Sequence, residues 1–544
     1  MSAGSATAAA STVVEQLAAV VADSGCRDMF TLMGAGNVWL IHYLATRHGV
    51  RIHHLRHENG AVGAADGLAR STGEVGWCTV TQGPGFTNTI TALLTAHRGG
   101  IPLVFIVSDS SNLDPLRFPF AGTVQALAPE ALLHPLGIAT VRADGARAAQ
   151  QLREAFAQAR DESRPVAFIT PAGLDKVPVQ GELPAPIPPA PAPDPAPDPQ
   201  LVAAAADALQ GMQRIVILAG RGAVASGAEA EVCRAAELLG ARISTSVPAL
   251  GFAADHPATI GPFGGFSIGE TERSIEEADG FLVVGAALNL FQTRTGSFLQ
   301  GRTVVRLDRD PDASGDVLLA GDARRSLAAL NAELEARGAR AAAPQPLPWP
   351  VVTDDTGKPG LLDPRTISAE LDAALPRPRR VFVDNGHFGA FPILYMRHRA
   401  PRSLIWLPDF GAVGSALAAG FASSIADREV QSVLFIGDSG LYMTLGDLET
   451  VVRERAPLIV VCMNDGAAGS ELVHMGDWGV PPDQAIFGYN DIAALAAGMG
   501  AAAALVGEPG QAAAAIAAWD PSRGPLVLDC HIGREVRSPI YDHA

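Results

Sequence analysis

The chain reads as an α/β protein built from three consecutive parallel-sheet domains. Three observations predict the plan. The 544 residues are enough for about three domains. Two proline-rich stretches, ELPAPIPPAPAPDPAPDP (Glu182 to Pro199) and AAAPQPLPWPVV (Ala341 to Val352), cannot continue a helix or a central strand, and they divide the chain into 1–180, 200–340 and 360–544. Within each piece, short continuous apolar runs alternate with alanine-rich helical patterns, which is the signature of parallel strands buried on both faces.

The strands follow in order. GWCTVTQGPG and PLVFIVSD belong to the first piece, RIVILAGRG, GFLVVGAAL and TVVRLDRD to the second, and RVFVDNG, SVLFIGDSG, PLIVVCMND and PLVLDC to the third. Gly, Asp and Asn cluster at the ends of these runs, and ligands of such folds bind beyond the carboxyl ends of the strands. Function is therefore sought at those ends.

Composition excludes several classes. The net charge of −17 and the lack of a basic stripe argue against nucleic acid. No stretch of 18 uncharged apolar residues suggests a membrane span, and the first residues lack the basic start and apolar core of a signal peptide, so a cytoplasmic location is the default expectation. The cysteines Cys26, Cys78, Cys233, Cys462 and Cys530 are scattered, which predicts neither a disulfide framework nor a zinc site.

The most informative segment is IGDSGLYMTLGDLETVVRERAPLIVVCMND, Ile436 to Asp465. Ser432 to Ile436 predicts a strand, Leu445 to Arg455 a helix with Leu448, Val451 and Val452 on one face, and Leu458 to Met463 the next strand. A right-handed strand–helix–strand unit brings Asp438 and Asp465 to neighbouring strand ends, where their carboxylates can converge on one cation. Oxygen-only ligands suit Mg²⁺, which often also takes phosphate oxygens. Gly437, Ser439 and Gly440 would let the backbone approach those phosphates. Ordinary turn residues at strand ends would look the same if the Gly-Asp-Ser stood alone.

The spacing resembles the motif of the thiamine-diphosphate (ThDP) enzymes, Gly-Asp-Gly followed after about 25–30 residues by Asn-Asn, here Gly437-Asp438-Ser439 and Asn464-Asp465. The resemblance implies metal ligands at Asp438, Asp465 and the carbonyl of Ala467, with Gly469 in the same cofactor-binding loop. In the first piece, VRIHHLRHENGAVGAADGLAR is similar to the acetolactate-synthase-like branch, and the resemblance makes Glu58 the catalytic carboxyl group that meets N1′ of the aminopyrimidine and drives loss of the thiazolium C2 proton. A lone Glu at a helix start is otherwise explained by the helix dipole.

Further matches follow. VTQGPGFTN resembles the family's TSGPGATN loop and carries Gln82, Gly83, Gly85 and Asn88. FVDNGHFGAF supplies Asn385, Gly386 and His387 toward the diphosphate, and LPDFGAVGSALAAG supplies the carbonyl of Gly411 and the apolar prop Val413. The chain departs from the pattern at Gly36-Asn37, Ser108-Asp109, Ser439 and Asp465, which argues against assigning the substrate of the best-known members. Substrate contacts are bracketed by Gly36, Asn37, Gln82, His97, Asp109, Glu471 and His474.

The resemblance spans residues 12–535 and implies a pyrimidine-binding domain over 1–180, a central Rossmann-like domain over 200–340 and a diphosphate-binding domain over 360–544, in a ThDP- and Mg²⁺-dependent lyase or transferase. It would form or cleave a C–C bond beside a carbonyl, by decarboxylating a 2-oxo acid and joining the product to a second carbonyl. A simple 2-oxo acid decarboxylase or aldehyde lyase shares every cofactor residue, and a non-catalytic ThDP-binding paralogue is the remaining alternative. Small-molecule substrates and a homodimer or homotetramer with active sites between subunits are implied, with no nucleic acid and no membrane. FAD or ADP in the central domain is allowed but not favoured, because Gly220-x-Gly222 lacks the rest of a dinucleotide fingerprint.

Three patterns compete. GFSIG (Gly265 to Gly269) matches the serine-hydrolase elbow without a strand before it. DRDPDASGD (Asp308 to Asp316) resembles a calcium loop but has Leu319 at its twelfth position and Pro311 inside. His53, His54 and His57 cluster without the carboxylate or Cys spacing of a metal site, and read as packing beside Glu58.

Overall fold

The computed structural model describes residues 11–190, 196–340 and 345–542; the initial ten residues, parts of both proline-rich stretches and the last two residues lie outside the described set. A two-stranded antiparallel ribbon, β1 (Ser11–Thr12) with β8 (Pro178–Val179), ties the chain's first described strand to the end of the first domain. Three six-stranded sheets form the body, and every strand pair within them is parallel.

The N-terminal sheet comprises β2 (Asp28–Leu32), β3 (Arg51–His54), β4 (Gly76–Val80), β5 (Leu103–Asp109), β6 (Ala139–Arg142) and β7 (Pro165–Pro171), in the order β3-β2-β4-β5-β7-β6. The central sheet comprises β9 (Ile215–Ala219), β10 (Arg242–Thr245), β11 (Thr259–Pro262), β12 (Gly280–Val284), β13 (Thr303–Asp308) and β14 (Val317–Ala320), in the order β11-β10-β9-β12-β13-β14, the strand order of dinucleotide folds. The C-terminal sheet comprises β15 (Arg379–Val383), β16 (Leu404–Trp406), β17 (Gln431–Gly437), β18 (Ile459–Asn464), β19 (Ala502–Val506) and β20 (Leu526–His531), in the order β16-β15-β17-β18-β20-β19. The first and third sheets thus share one topology.

The strands read as near-continuous apolar runs because both faces are covered: β4, β9, β12 and β18 are buried at every position. The N- and C-terminal sheets also share a core. Phe30, Val62 and Phe105 from one side cluster with Leu417, Phe421, Leu434 and Leu448 from the other. The seam is made by the helices Glu58–Thr72 and Ala416–Ala426. Gly67 permits it, since a Cβ there would lie 2.2 Å from the Ala419 Cα. All five cysteines are free.

The proline-rich stretch is strapped down rather than loose over its described part. Arg160 donates to the carbonyls of Ile187 and Pro188, both at 3.0 Å, and Arg153 to that of Pro184 at 3.2 Å. Pro199, placed in the linker by composition, instead opens the helix Pro199–Gln210, with Asp198 capping it through the Gln200 N–H at 2.8 Å.

Candidate functional site

The ends of β17 and β18 meet as the strand–helix–strand reading requires, with one addition. Asp438 is not in an open turn but begins a short helix, Asp438–Met443, capped by Gly437. The sequence hides this helix because two glycines flank its only first-turn carboxylate. Its glycines serve packing: a Cβ on Gly437 would lie 3.1 Å from the Phe388 ring, and one on Gly440 2.6 Å from Asp384 Oδ2. Asp465 follows β18, and its Oδ1 accepts the Ala467 N–H at 3.0 Å. Asn464 is structural, donating to Asp529 at 2.9 Å and to the Asn490 carbonyl at 3.2 Å while accepting the Gly466 N–H at 3.1 Å.

The two carboxylates feel each other. Burial raises Asp438 above the usual carboxylate range. Burial, and then the charge of Asp438, holds Asp465 up at about 7. A close pair of half-buried and buried carboxylates without a cation between them is an electrostatic deficit, and a divalent cation removes it. The Gly466 carbonyl takes the N–H groups of Phe487 (2.8 Å) and Gly488 (2.9 Å), whereas the Ala467 carbonyl accepts no hydrogen bond among the described residues. Two carboxylates and a free carbonyl suit Mg²⁺, so the residues fit the predicted metal.

Beside them lies a cavity of about 230 Å³ lined by His387, Asp465, Gly469, Arg534 and Arg537. Burial, and then the Arg537 charge, holds the His387 imidazole down at about 4, so the ring is neutral. Its Nε2 accepts the Ser538 N–H at 2.9 Å, which leaves the proton on Nδ1 as a donor. Gly469 starts the helix Gly469–Trp478; a Cβ there would come 2.5 Å from Asp465 Oδ2. A polar cavity beside a cation site, with a ring N–H and two guanidinium groups on its wall, fits a diphosphate.

A segment far downstream holds this corner. Arg534 donates to the Asp465 carbonyl at 2.5 Å and lies over the Tyr489 ring. Arg537 clasps Asp477 at 2.8 and 2.9 Å, and the Tyr541 hydroxyl donates to Ser470 at 2.7 Å. His474 stacks on Trp478 and meets the Tyr541 ring edge-on, and Glu471 is exposed on the same helix. His474 thus has a packing role beside this cavity.

The loop after β16 reaches the helix Asp438–Met443, where Val413 meets Gly440. Gly411 and Gly414 have left-handed φ of +69° and +85°, and nothing lies within 4 Å of a Cβ built on Gly411. Val413 stands between them, 39% exposed, against Gly440. Asn385 does not reach outward with its amide, because Nδ2 donates to the carbonyls of Leu407 (2.7 Å) and Ala412 (2.9 Å). Gly386 keeps the Phe388 ring close, 2.8 Å from a built Cβ. Asp384 is the residue the sequence reading passed over. It is fully buried, burial pushes its carboxyl up to about 7, and it accepts the N–H groups of Gly414 (2.6 Å) and Ala416 (3.2 Å). Its signal was present, an Asp directly after a strand in VFVDNG.

Glu58 opens its helix after the His57 N-cap. Its Oε2 accepts from Asn88 Nδ2 at 2.9 Å, so the VTQGPGFTN loop and the Glu58 helix meet. Asp447 accepts the Arg56 N–H at 2.8 Å and also bonds the His57 N–H, fixing the turn from the C-terminal domain. Gly60 is required there, since a Cβ would lie 2.1 Å from Asp447 Oδ2. No local pattern reveals a partner 391 positions away. Among the described residues, no hydrogen bond or ion pair joins Glu58 to Asp438 or Asp465 of the same chain.

The bracketed substrate residues divide. Gly36 and Gln82 adjoin: Gln82 Oε1 accepts from Thr81 (2.7 Å) and Ser108 (2.8 Å), and its Nε2 donates to Gln125 at 3.0 Å. Two others are engaged by their own surroundings. Asn37 is buried and bonds its own loop, accepting from Gly34 N–H at 2.8 Å and donating to Thr31 at 3.2 Å, and it lines a cavity beside Gly36. Asp109 is fully buried and engaged by Arg142 at 2.7 Å and by Ser111 at 2.7 and 2.8 Å. His97 lies apart, against Gly137.

In the central domain a cavity of about 590 Å³ opens at the strand ends, reached by Arg221, Ser246, Asn289, Asp308 and Trp406. Gly220 and Gly222 serve close packing on Gly285, whose carbonyl takes the Gly222 N–H at 2.9 Å. Of the competing patterns, Ser267 is buried and its hydroxyl donates to the Gly264 carbonyl at 2.7 Å. Asp308 pairs with Arg306 at 2.8 Å. His53 binds Asp28 at 2.8 Å. No group of three or more His, Cys, Asp or Glu side chains is set to hold a metal among the described residues.

Three family descriptions match the chain: thiamine pyrophosphate enzyme, N-terminal TPP binding domain over residues 11–123, central domain over 202–330, and C-terminal TPP binding domain over 384–530. The chain belongs to the thiamine-diphosphate-dependent enzymes, in the acetolactate-synthase-like branch. It is 29% identical to a probable 2-ketoarginine decarboxylase of Pseudomonas aeruginosa, over 84% of this chain and 83% of the relative. It is 26% identical to the acetolactate synthase isozyme 3 large subunit of Escherichia coli, over 82% and 81%. It is 25% identical to a sulfoacetaldehyde acetyltransferase of Castellaniella defragrans, over 84% and 81%. In fold it resembles a Rhodococcus jostii thiamine diphosphate-dependent 4-hydroxybenzoylformate decarboxylase, with a TM-score of 0.79 at 18% identity, covering 96% of this chain and 99% of that one. No helix of the described residues is long and apolar enough to cross a membrane.

Proposed function

We propose that the chain is a ThDP- and Mg²⁺-dependent enzyme that decarboxylates a 2-oxo acid and joins the product to a second carbonyl. The observation that carries this is the pair Asp438 and Asp465, each raised by burial and Asp465 further by its neighbour, at adjacent parallel strand ends beside a diphosphate-sized polar cavity. Asp438, Asp465 and the Ala467 carbonyl would hold the metal. His387 Nδ1–H and the helix starting at Gly469 would hold the diphosphate, and Gly411 and Val413 the rings. When bound, ThDP supplies a nucleophilic carbon and an electron sink for the carboxylate's electrons. Glu58 would meet the aminopyrimidine with its carboxyl group, which Asn88 orients through a hydrogen bond of 2.9 Å.

Glu58 and the carboxylate pair would work together across two copies of the chain. Two exposed apolar surfaces support this reading: Leu116, Phe120 and Val124 at the N-terminal strand ends, and Met443, Trp478 and Phe487 at the C-terminal ones. The interface would bury both, making a homodimer or a homotetramer built from such dimers.

The test is to strip the protein of metal, titrate ThDP with and without Mg²⁺ by calorimetry, and then assay CO₂ release from pyruvate with an added aldehyde. Mg²⁺-dependent ThDP binding and a coupled hydroxyketone are expected. Aldehyde alone would leave a simple decarboxylase or lyase. Binding without turnover of any 2-oxo acid or ketol would leave the non-catalytic alternative, and no binding would sink the assignment.

A further inference from the structure

The N-terminal sheet has its switch point between β2 and β4. The helix Val38–His48, which follows β2, packs with Val13–Asp23 on one face, whereas Ile90–Gly99, which follows the β4 loop, packs with Glu58–Thr72 on the other. The loops after β2 and β4 therefore part, and a crevice opens at the carboxyl edge. Glu58 and Asn88 stand on one side of it. On the other is a cavity of about 200 Å³ lined by Val14, Leu17, Leu40, Ile106 and Leu113.

One thin wall separates the two sides. Gly36, Gln82 and Ser108 form it, packed so closely that a Cβ on Gly36 would lie 1.8 Å from Ser108 Oγ and 2.3 Å from Gln82 Oε1. Thr81 bridges from this wall toward Glu58, because a Cβ on Gly85 would lie 2.8 Å from Thr81 Cγ2 and 3.6 Å from Glu58 Oε1. Gln82 is satisfied within the wall by Thr81, Ser108 and Gln125. In the cavity's own lining, the Thr79 hydroxyl is fully buried and has no hydrogen-bond partner. The lining joins those apolar side chains to the polar Asn37, Ser110, Thr170 and Asp175, and Gly36, Gln82 and Ser108 belong both to it and to the wall of the Glu58 site.

We propose that this cavity receives the apolar side chain of the substrate, a group the size of a benzene ring or a branched chain of about six carbons, given that a cavity of ~150 Å³ holds benzene. This rests on the 2-oxo acid reading above. The carbonyl end stays at Glu58, and the side chain enters from the crevice at the carboxyl edge, where the loops after β2 and β4 part.

The experiment measures kcat/KM of the ThDP- and Mg²⁺-loaded enzyme for pyruvate, 4-methyl-2-oxopentanoate and phenylpyruvate. At least a tenfold preference for the two larger acids over pyruvate is expected. Leu113→Trp, on a loop where the side chain is half-buried, lowers the phenylpyruvate-to-pyruvate ratio at least tenfold, and Leu113→Ala shifts preference toward the longer 4-phenyl-2-oxobutanoate. A pyruvate preference in the unaltered enzyme, or ratios unchanged in both variants while ThDP still binds, overturns the pocket and leaves the ThDP reading standing. Absence of ThDP-dependent turnover of all these acids, with no ThDP binding, overturns the reading beneath it.

Discussion

The N-terminal and C-terminal sheets have the same strand order, yet their matching strand ends hold different chemistry. After the fourth strand of each stands an aspartate, Asp109 on β5 and Asp465 past β18. Asp109 is neutralised by Arg142 at 2.7 Å and by the Ser111 N–H and hydroxyl. Asp465 has Asp438 as its charged neighbour, and Arg534 reaches its carbonyl rather than its carboxylate. The same position therefore closes a structure in one sheet and leaves an open demand for a cation in the other. Topology supplies the place, and the partner decides the function.

The contrast can be broken from either end. Glu58→Gln removes the carboxyl proposed for the chemistry, and kcat should fall by roughly 10²–10⁴ with ThDP affinity nearly unchanged, read by steady-state assay and calorimetry. Asp438→Ala should weaken Mg²⁺-dependent ThDP binding about a hundredfold, whereas Asp465→Asn, which keeps an oxygen ligand, should hold it within about tenfold. Arg142→Ala strands buried Asp109 and should cost about 2–3 kcal/mol in thermal or urea unfolding, below the value for a fully buried pair because Arg142 is half-exposed. Gly67→Ala should cost about 1–3 kcal/mol by forcing a methyl group onto the Ala419 backbone.

The smallest effect concerns pH at the seam. Burial alone would depress the His53 imidazole, but Asp28 and Glu454 outweigh it and raise the ring above its ordinary value. Glu454 comes from the C-terminal domain, 3.4 Å from Nδ1, and Arg51, Arg453 and His54 are the other charged or titratable groups nearby. A raised folded-state value means the contribution is complete below the unfolded value, ~6.5, and is lost as pH rises through the folded value. Melts should show that loss on the alkaline side of about pH 6.5, and His53→Gln should flatten it.

Much of this was legible because it is local. Strand runs, the breaks between sheets and the convergence of Asp438 and Asp465 all follow from hydrophobic period and spacing. Asp384 was legible in principle and was missed among its neighbours Asn385 to His387. Asn37 and Asp109 show where sequence reading runs out: a polar residue at a strand end looks identical whether it faces a ligand or satisfies its own loop, and only the partners tell. Asp447 and Arg534 could not be read at all, since each acts on a turn that the chain brings near from far away in sequence.

The clasp by residues 534–541 also has a consequence for how the chain comes into being. Arg534 holds the Asp465 carbonyl from 69 positions downstream, and Ser538 fixes the proton of His387 from 151. While the ribosome is still making those residues, β17 and β18 can already be paired, but the corner that would grip a diphosphate is loose. On the proposed reading, the corner that holds the diphosphate is complete only after translation has passed the clasp, so cofactor loading would follow the synthesis of nearly the whole chain.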